Sequence, residues 1–317
     1  EITSKSLRGN FELRNTSDNT LKIIKAIMDD QSYKDFYLDV SDKRFWKIYS
    51  LHDSFTTDRF IRNLVEKNFS KLDFLWLPST LLENYMGLGK DTGFSLKFKN
   101  KFVDIDSINK IDDISMRFWG GNTKEIIEGL KANKFIEKGI SLSSIGINHL
   151  VEGGYAKENV SYFGRFTLMK GNSIDSHFIL MEKIKSNYSN LLNLFETRYR
   201  FTVEKKNGGL KLSCNPLYID FGKKIESLEE FVNILFSSQL PFRLSGVVEK
   251  ENDSLFRIYA IDLHTHDLVN FEVTPEWMSI YLSKTSCGNV ITRLVTNMQT
   301  YMTSKIKLSG EDDGRII

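Results

Sequence analysis

Apolar and polar positions along this chain follow two periods, and the period changes often. "TGFSLKFKN" (92–100) sets Phe94, Leu96 and Phe98 against polar neighbours, the two-residue repeat of a half-buried strand. "DFYLDVS" (35–41) and "RFWKIYSL" (44–51) are rich in aromatic and β-branched residues and predict strands. "LDFLWLPS" (72–79) is a short apolar run closed by Pro78, which predicts a buried strand. "LKIIKAIMD" (21–29) has helical spacing. "TTDRFIRNLVEKNF" (56–69) predicts a helix with Thr or Asp at its start. Residues 172–199 place Phe178, Met181, Ile184, Tyr188, Leu191, Leu192 and Phe195 at steps of three and four, which predicts one long helix or two joined ones.

The middle of the chain is the clearest region. "DISMRFWGGNTKEIIEGLKANKFIEK" reads as a strand, a Gly-Gly turn and a helix capped by Asn122 or Thr123. "SLSSIGINHL" and "VSYFGRFTLMKG" read as further strands. Two units look alike: each has an Arg-Phe strand, then Gly-Asn at 121–122 or 171–172, then a helix. Two halves of one pseudo-symmetric sheet and coincidental turn chemistry both explain them. Further on, a hairpin is expected to turn at Asn207-Gly208-Gly209. Ser227 and Glu230 form a capping box. "FRLSGVVEK" and "SLFRIYAIDL" make a hairpin, "HDLVNFEVT" is the next strand, and a helix runs from about Gly288. The polar tail "SGEDDGRII" is expected to be loose. Hairpins outnumber βαβ units, so the fold class is α+β, with mostly antiparallel sheets and several packed helices. No linker of Pro, Gly or Ser separates two halves. The expected division is an α+β domain over 1–200 and a hairpin-rich α+β domain over 201–317, ending in a helix.

Composition narrows the picture only modestly. Apolar residues make up 41% and charged residues 26% of 317, enough for a real core. The net charge is +2. Residues 111–206 carry 14 basic against 11 acidic, and residues 207–317 carry 11 against 14. That excludes the strong positive field of a dedicated duplex-DNA binder and leaves room for a local basic groove. Two cysteines, Cys214 and Cys287, make neither a disulfide framework nor a zinc knuckle and fit a reducing compartment, hence the cytoplasm. No apolar run approaches the roughly 18 residues of a membrane span, and no signal peptide is visible.

"IDLHTHD" (261–267) places His264 and His266 one residue apart between Asp262 and Asp267. Six of these residues resemble the first metal motif of the polymerase-and-histidinol-phosphatase family of phosphoesterases. There an Asp-Leu-His-x-His at a strand end supplies metal ligands. The rest departs from that family: 51 residues follow His266 and none is a histidine. The plainer reading is a β-hairpin turn, with no metal. "KTSCGN" sets Cys287 just before an apolar helix, where the helix N-terminus favours thiolate. His264 or His266 would be its base and Asp262 or Asp267 the orienter. This His–Asp–Cys order resembles cysteine peptidases of the SUMO-protease type. It lacks their His-Trp pair and their Gln before the cysteine. A small residue at a packed helix start explains Cys287 as well.

Gly120-Gly121-Asn122-Thr123 would suit a phosphate at a helix N-terminus, or serve as an ordinary capped turn. Glu249, Lys250 and Glu251 in "VVEKEND" suit a nuclease only with a metal-binding partner that the sequence does not offer. Arginines interleave with rings at Arg117-Phe118-Trp119, Arg165-Phe166 and Arg198-Tyr199-Arg200-Phe201. Exposed arginines beside aromatic rings suit single-stranded nucleic acid. Strand alternation, ring inward and arginine outward, gives the same pattern without a ligand. The leading expectation is an intracellular, non-enzymatic protein without a cofactor that binds a single-stranded or structured nucleic acid, or another protein. Its site would comprise Arg117, Trp119, Arg165, Arg198 and Arg200. The alternatives are a cysteine hydrolase built on Cys287, and a structural subunit with Trp46, Trp76 and Trp119 at an interface.

Overall fold

A computed structural model of the chain describes residues 7–102, 113–133, 139–206, 209–213, 215–311 and 314–317, the side chains of 203–214 excepted. The chain divides into two compact units, Glu1–Phe74 and Leu75–Ile317. Residue 200 falls inside the second.

In the first unit, β1 (Phe11–Asn15), β2 (Leu21–Ile27), β3 (Tyr33–Asp39) and β4 (Lys47–Tyr49) form an antiparallel sheet in chain order, followed by α1 (Ser54–Lys67). The helical spacing of 21–29 therefore resolves as a strand. β-Branched Ile23, Ile24 and Ile27 suit a pleated surface, and β1 and β3 flank β2 on both sides. Its Ile24 and Ala26 bury against Phe36, Leu38, Phe60 and Leu64. Phe36 and Phe60 stack with centroids 4.2 Å apart. The predicted strand at 44–51 shrinks to the three residues of β4. The Asp53 carboxylate caps α1, accepting from the Thr56 backbone N–H at 2.9 Å.

The second unit begins with α2 (Ser79–Tyr85), β5 (Lys90–Phe98), β6 (Ile114–Trp119) and α3 (Thr123–Ala132). It continues with β7 (Leu142–Val151), β8 (Gly154–Ser161), β9 (Phe166–Gly171) and α4 (Ile174–Arg198). Next come β10 (Thr202–Lys206), β11 (Gly209–Ser213), β12 (Leu217–Asp220) and α5 (Leu228–Leu235). β13 (Leu244–Asn252), β14 (Leu255–Asp262), β15 (Leu268–Val273), β16 (Trp277–Leu282), α6 (Asn289–Tyr301), β17 (Lys307–Gly310) and β18 (Gly314–Arg315) complete it. One sheet has the order β6-β5-β7-β8-β9 and another β13-β14-β15-β16-β12-β17-β18, while β10 and β11 pair with each other. Every ladder between these strands is antiparallel, so the fold is α+β.

Residues 72–79 form no strand: Trp76, Leu77 and Pro78 are buried in extended chain. Pro78 has no N–H to offer a ladder, and Leu77 N–H bonds the Tyr162 carbonyl at 2.7 Å. α4 is one unbroken helix of 25 residues. Ser227 caps α5 through the Glu230 N–H. The tail is not loose where it is described: β17 pairs with β12 and β18, and Ile317 is buried and bonded to Leu308. The expected turn residues Asn207 and Gly208, and Cys214, lie outside the described residues. The two similar units feed α3 and α4 from β6 and β9, the two edges of the five-stranded sheet. Their Arg-Phe pairs are not equivalent, because Arg117 lies within β6 whereas Arg165 precedes β9.

α6 is buried along its length, from Asn289 to Thr300, although half of it is polar. Most of its polar groups have a partner, and Thr296 Oγ1 has none. Tyr188 Oη of α4 donates to Asn289 Oδ1, meets Thr292 Oγ1 at 2.7 Å and accepts from Trp76 N–H at 3.2 Å. Gln299 Oε1 accepts from Ser79 N–H at 2.7 Å. The Arg293 guanidinium, fully buried, pairs with Asp262 at the end of β14 and donates to the Phe242 carbonyl. Removing one member of a buried ion pair strands the other without water. Asp262→Ala should therefore lower stability by about 3–5 kcal/mol, with Asp262→Ala/Arg293→Met recovering part of it in urea unfolding. A loss well under 1 kcal/mol in the single variant would contradict this role.

Candidate nucleic-acid interface

Cross-strand partners in an antiparallel sheet share a face. Register therefore sorts the five-stranded sheet. Phe118, Phe94, Ile145 and Val160 lie on one side, as do Ile147 and Glu158. That side receives α4: His149 Nδ1 lies 3.2 Å from the Ser176 carbonyl, and His177 Nδ1 lies 2.9 Å from Glu158 Oε1. The His177–Glu158 contact is at ion-pair distance but is not aligned as a hydrogen bond.

The opposite face holds Ser115, Arg117 and Trp119 of β6, then Lys90, Gly93, Ser95 and Lys97 of β5. β7 adds Ser144, Gly146 and Asn148, β8 adds Lys157 and Asn159, and β9 adds Thr167 and Lys170. Lys90, Arg117, Trp119 and Lys170 are exposed, and Lys97, Asn148 and Lys157 are half-buried. Among the described strand residues that register places here, none is Asp or Glu. A near-neutral chain thus gathers cations on one sheet face that the sum of its charges does not reveal.

Trp119 is the centre of this face. Its ring lies where side chains at two facing glycines would stand. A Cβ on Gly93 would meet Trp119 Cε3 at 2.7 Å, and one on Gly146 would meet Cζ3 at 3.3 Å. The paired glycines let the indole lie across β5 and β7 while remaining 45% exposed. The Lys157 ammonium rests 5.8 Å from the ring centroid, in cation–π range.

The other expected arginines are elsewhere. Arg165 sits in the β8–β9 turn with its guanidinium 5.5 Å from the Phe163 ring. Arg198 is exposed at the last residue of α4. Arg200 donates through Nε and Nη2 to the Ser286 carbonyl, a local structural task beside the start of α6. The structure therefore joins Arg117 and Trp119, and adds Lys157 and Asn148. Neither addition was visible in the sequence, because 119 and 157 become neighbours only through strand register.

"IDLHTHD" is a hairpin turn between β14 and β15. Asp262 N–H bonds the Asp267 carbonyl, and His266 N–H bonds the Asp262 carbonyl at 2.7 Å. His266 has φ +61°. The Asp262 side chain accepts from the His264 backbone N–H at 3.1 Å and is paired with Arg293. Among the described residues, no group of three or more His, Cys, Asp and Glu side chains is placed to hold a metal ion. Cys287 is partly exposed just before α6. The neighbouring Gly288 N–H is taken by the Glu196 carboxylate at 2.7 Å, so that donor is not left for a thiolate. Asn122, before α3, makes no side-chain capping bond, and Thr123 donates to Asp91 instead. At the β13–β14 hairpin, Asp253 2.7 Å from Lys250 holds that ammonium's pKa above its ordinary value, and Glu251 pairs with Arg257. No described helix is long and apolar enough to cross a membrane.

The fold and this face define an α+β protein with a cationic, tryptophan-centred sheet surface. By sequence, the chain belongs to the MJECL33-like protein family, which matches residues 1–317. It is similar to the uncharacterized protein MJECL33 of Methanocaldococcus jannaschii, with 28% identity over 327 residues that cover 91% of this chain and 78% of that protein. No solved structure matches it.

The glycine floor gives a direct check on the geometry. Gly146→Val would drive a branched side chain into Thr92 Oγ1, 2.7 Å from the Cβ position, and into the indole. Overpacking of this kind costs about 1–3 kcal/mol, so the variant should unfold earlier in urea and its Trp119 fluorescence should change. Unaltered stability and emission would show that the ring does not lie there.

Proposed function

We propose that this protein binds single-stranded nucleic acid across the outer face of its five-stranded sheet. One observation carries the reading: register assembles Lys90, Lys97, Arg117, Lys157 and Lys170 around the exposed Trp119, with no carboxylate among the described strand residues of that face. Cations along a surface attract phosphates, and an exposed ring accepts a stacked base whatever its identity. A flat face of glycine, serine and asparagine admits a splayed strand more readily than a duplex, whose bases are already stacked. The two-cysteine composition fits a reducing, intracellular setting for this role. Protein docking on the same face is less favoured, because the centre of a protein interface is depleted in charge.

The test is a titration of labelled single-stranded and duplex DNA and RNA across a salt series. Wild-type protein should bind single strands with a marked salt dependence. Arg117→Ala/Lys157→Ala should make the log–log salt slope shallower by about 1.4, at roughly 0.7 per phosphate contact on single strands. Trp119→Ala should lose about 1–3 kcal/mol of affinity with little change in that slope. Unchanged binding by both folded variants, or no binding at low salt, would sink the proposal.

A further inference from the structure

We infer that Trp119, Asn148, Thr92 and Lys157 form a seat for a single nucleobase, one that favours bases carrying an exocyclic amino group. The inference rests on the single-strand reading above and adds to it a contact that discriminates between bases.

Two buried polar atoms motivate it. Asn148 Oδ1 and Thr92 Oγ1 are shielded from water and have no hydrogen-bond partner. Buried acceptors without donors are rare in folded proteins, and each calls for an explanation. Thr92 Oγ1 stands beside the indole. Thr92 Oγ1 and Trp119 Cζ3 lie within 2.7 Å and 3.3 Å of the same point, the empty Cβ position of Gly146. Asn148 stands two residues further along β7 on the same face, directly opposite Lys157 in register. Lys157 in turn holds its ammonium over the indole. The flexible lysine thus reaches over the ring from the position opposite Asn148. Turning toward a backbone phosphate, it would free the aromatic plane for a base, with the unpaired Asn148 carbonyl on the adjacent strand of the same face.

A base stacked on Trp119 would bring its edge to that carbonyl. Adenine and cytosine offer an amino N–H to Asn148 Oδ1, whereas uracil and thymine present a carbonyl at the matching position. Stacking alone is indifferent to this distinction. The Thr92 hydroxyl can donate or accept, so it supplements whichever edge is seated.

Homopolymeric 12-mers of A, C and U in RNA, and of A, C and T in DNA, compared by competition, test the inference. The A and C oligomers should bind roughly five-fold more tightly than U or T, the worth of one net hydrogen bond. Asn148→Ala should bring all of them to the U/T level while retaining salt-dependent binding. Thr92→Val, close in shape, should narrow the preference and serves as the second probe if Asn148→Ala does not fold. RNA and DNA series that run in parallel would support a base contact that ignores the sugar. Equal binding of all homopolymers, or a preference that persists in both variants, overturns the base seat and leaves the strand-binding face standing. Absence of binding by every oligomer overturns both.

Discussion

A helix that is polar on much of its surface and yet buried throughout persists only where most of its hydrogen-bonding groups meet partners. α6 imposes that constraint on the larger unit. Its Arg293 needs Asp262 from the seven-stranded sheet, its Asn289 and Thr292 need Tyr188 from α4, and its Gln299 needs Ser79 at the start of α2. α4, held there by Tyr188, lays its first turns on the five-stranded sheet through His149 and Glu158. One face of that sheet therefore receives α4, and the residues of the candidate site lie on the other.

The same polar helix accounts for the identity of "IDLHTHD". A tight turn after β14 needs an acceptor to gather its N–H groups, and α6 needs a buried counter-charge for Arg293. Asp262 serves both purposes. A pair of histidines beside an aspartate suggests catalysis or metal binding in one dimension. In three dimensions the aspartate carboxylate is paired with the buried Arg293.

Local chemistry was legible in the sequence wherever it was sufficient. The Ser227 cap, the α4 periodicity and the β14–β15 turn follow from neighbours within a few residues, whereas α1 starts at Ser54 behind Asp53, ahead of the expected Thr56–Asp58 start. Residues 21–29 were not legible, because "LKIIKAI" satisfies both periods and only the flanking strands β1 and β3 decide between them. Residues 72–79 resemble a strand in composition, but burial there comes from packing rather than from a ladder. For the site, Arg117 and Trp119 could be picked out from the sequence. Lys157 and Asn148 could not, since "INHLVEGGYAKENV" turns a polar and an apolar face in ways that only register separates. The buried Glu158 even breaks the alternation that would have exposed the pattern. Arg200 looked like its companions until its contact with the Ser286 carbonyl, 86 positions away in sequence, was seen.

The central claim is that a single strand runs over the outer face of β6-β5-β7-β8-β9. Ultraviolet cross-linking of the protein to a photoreactive single-stranded oligonucleotide, with the cross-linked peptides mapped by mass spectrometry, tests it most directly. Adducts are expected at Trp119 and in the peptides of β5 and β8 that carry Lys97 and Lys157. Adducts confined to the first unit, or to the seven-stranded sheet around Tyr259 and Trp277, would contradict it.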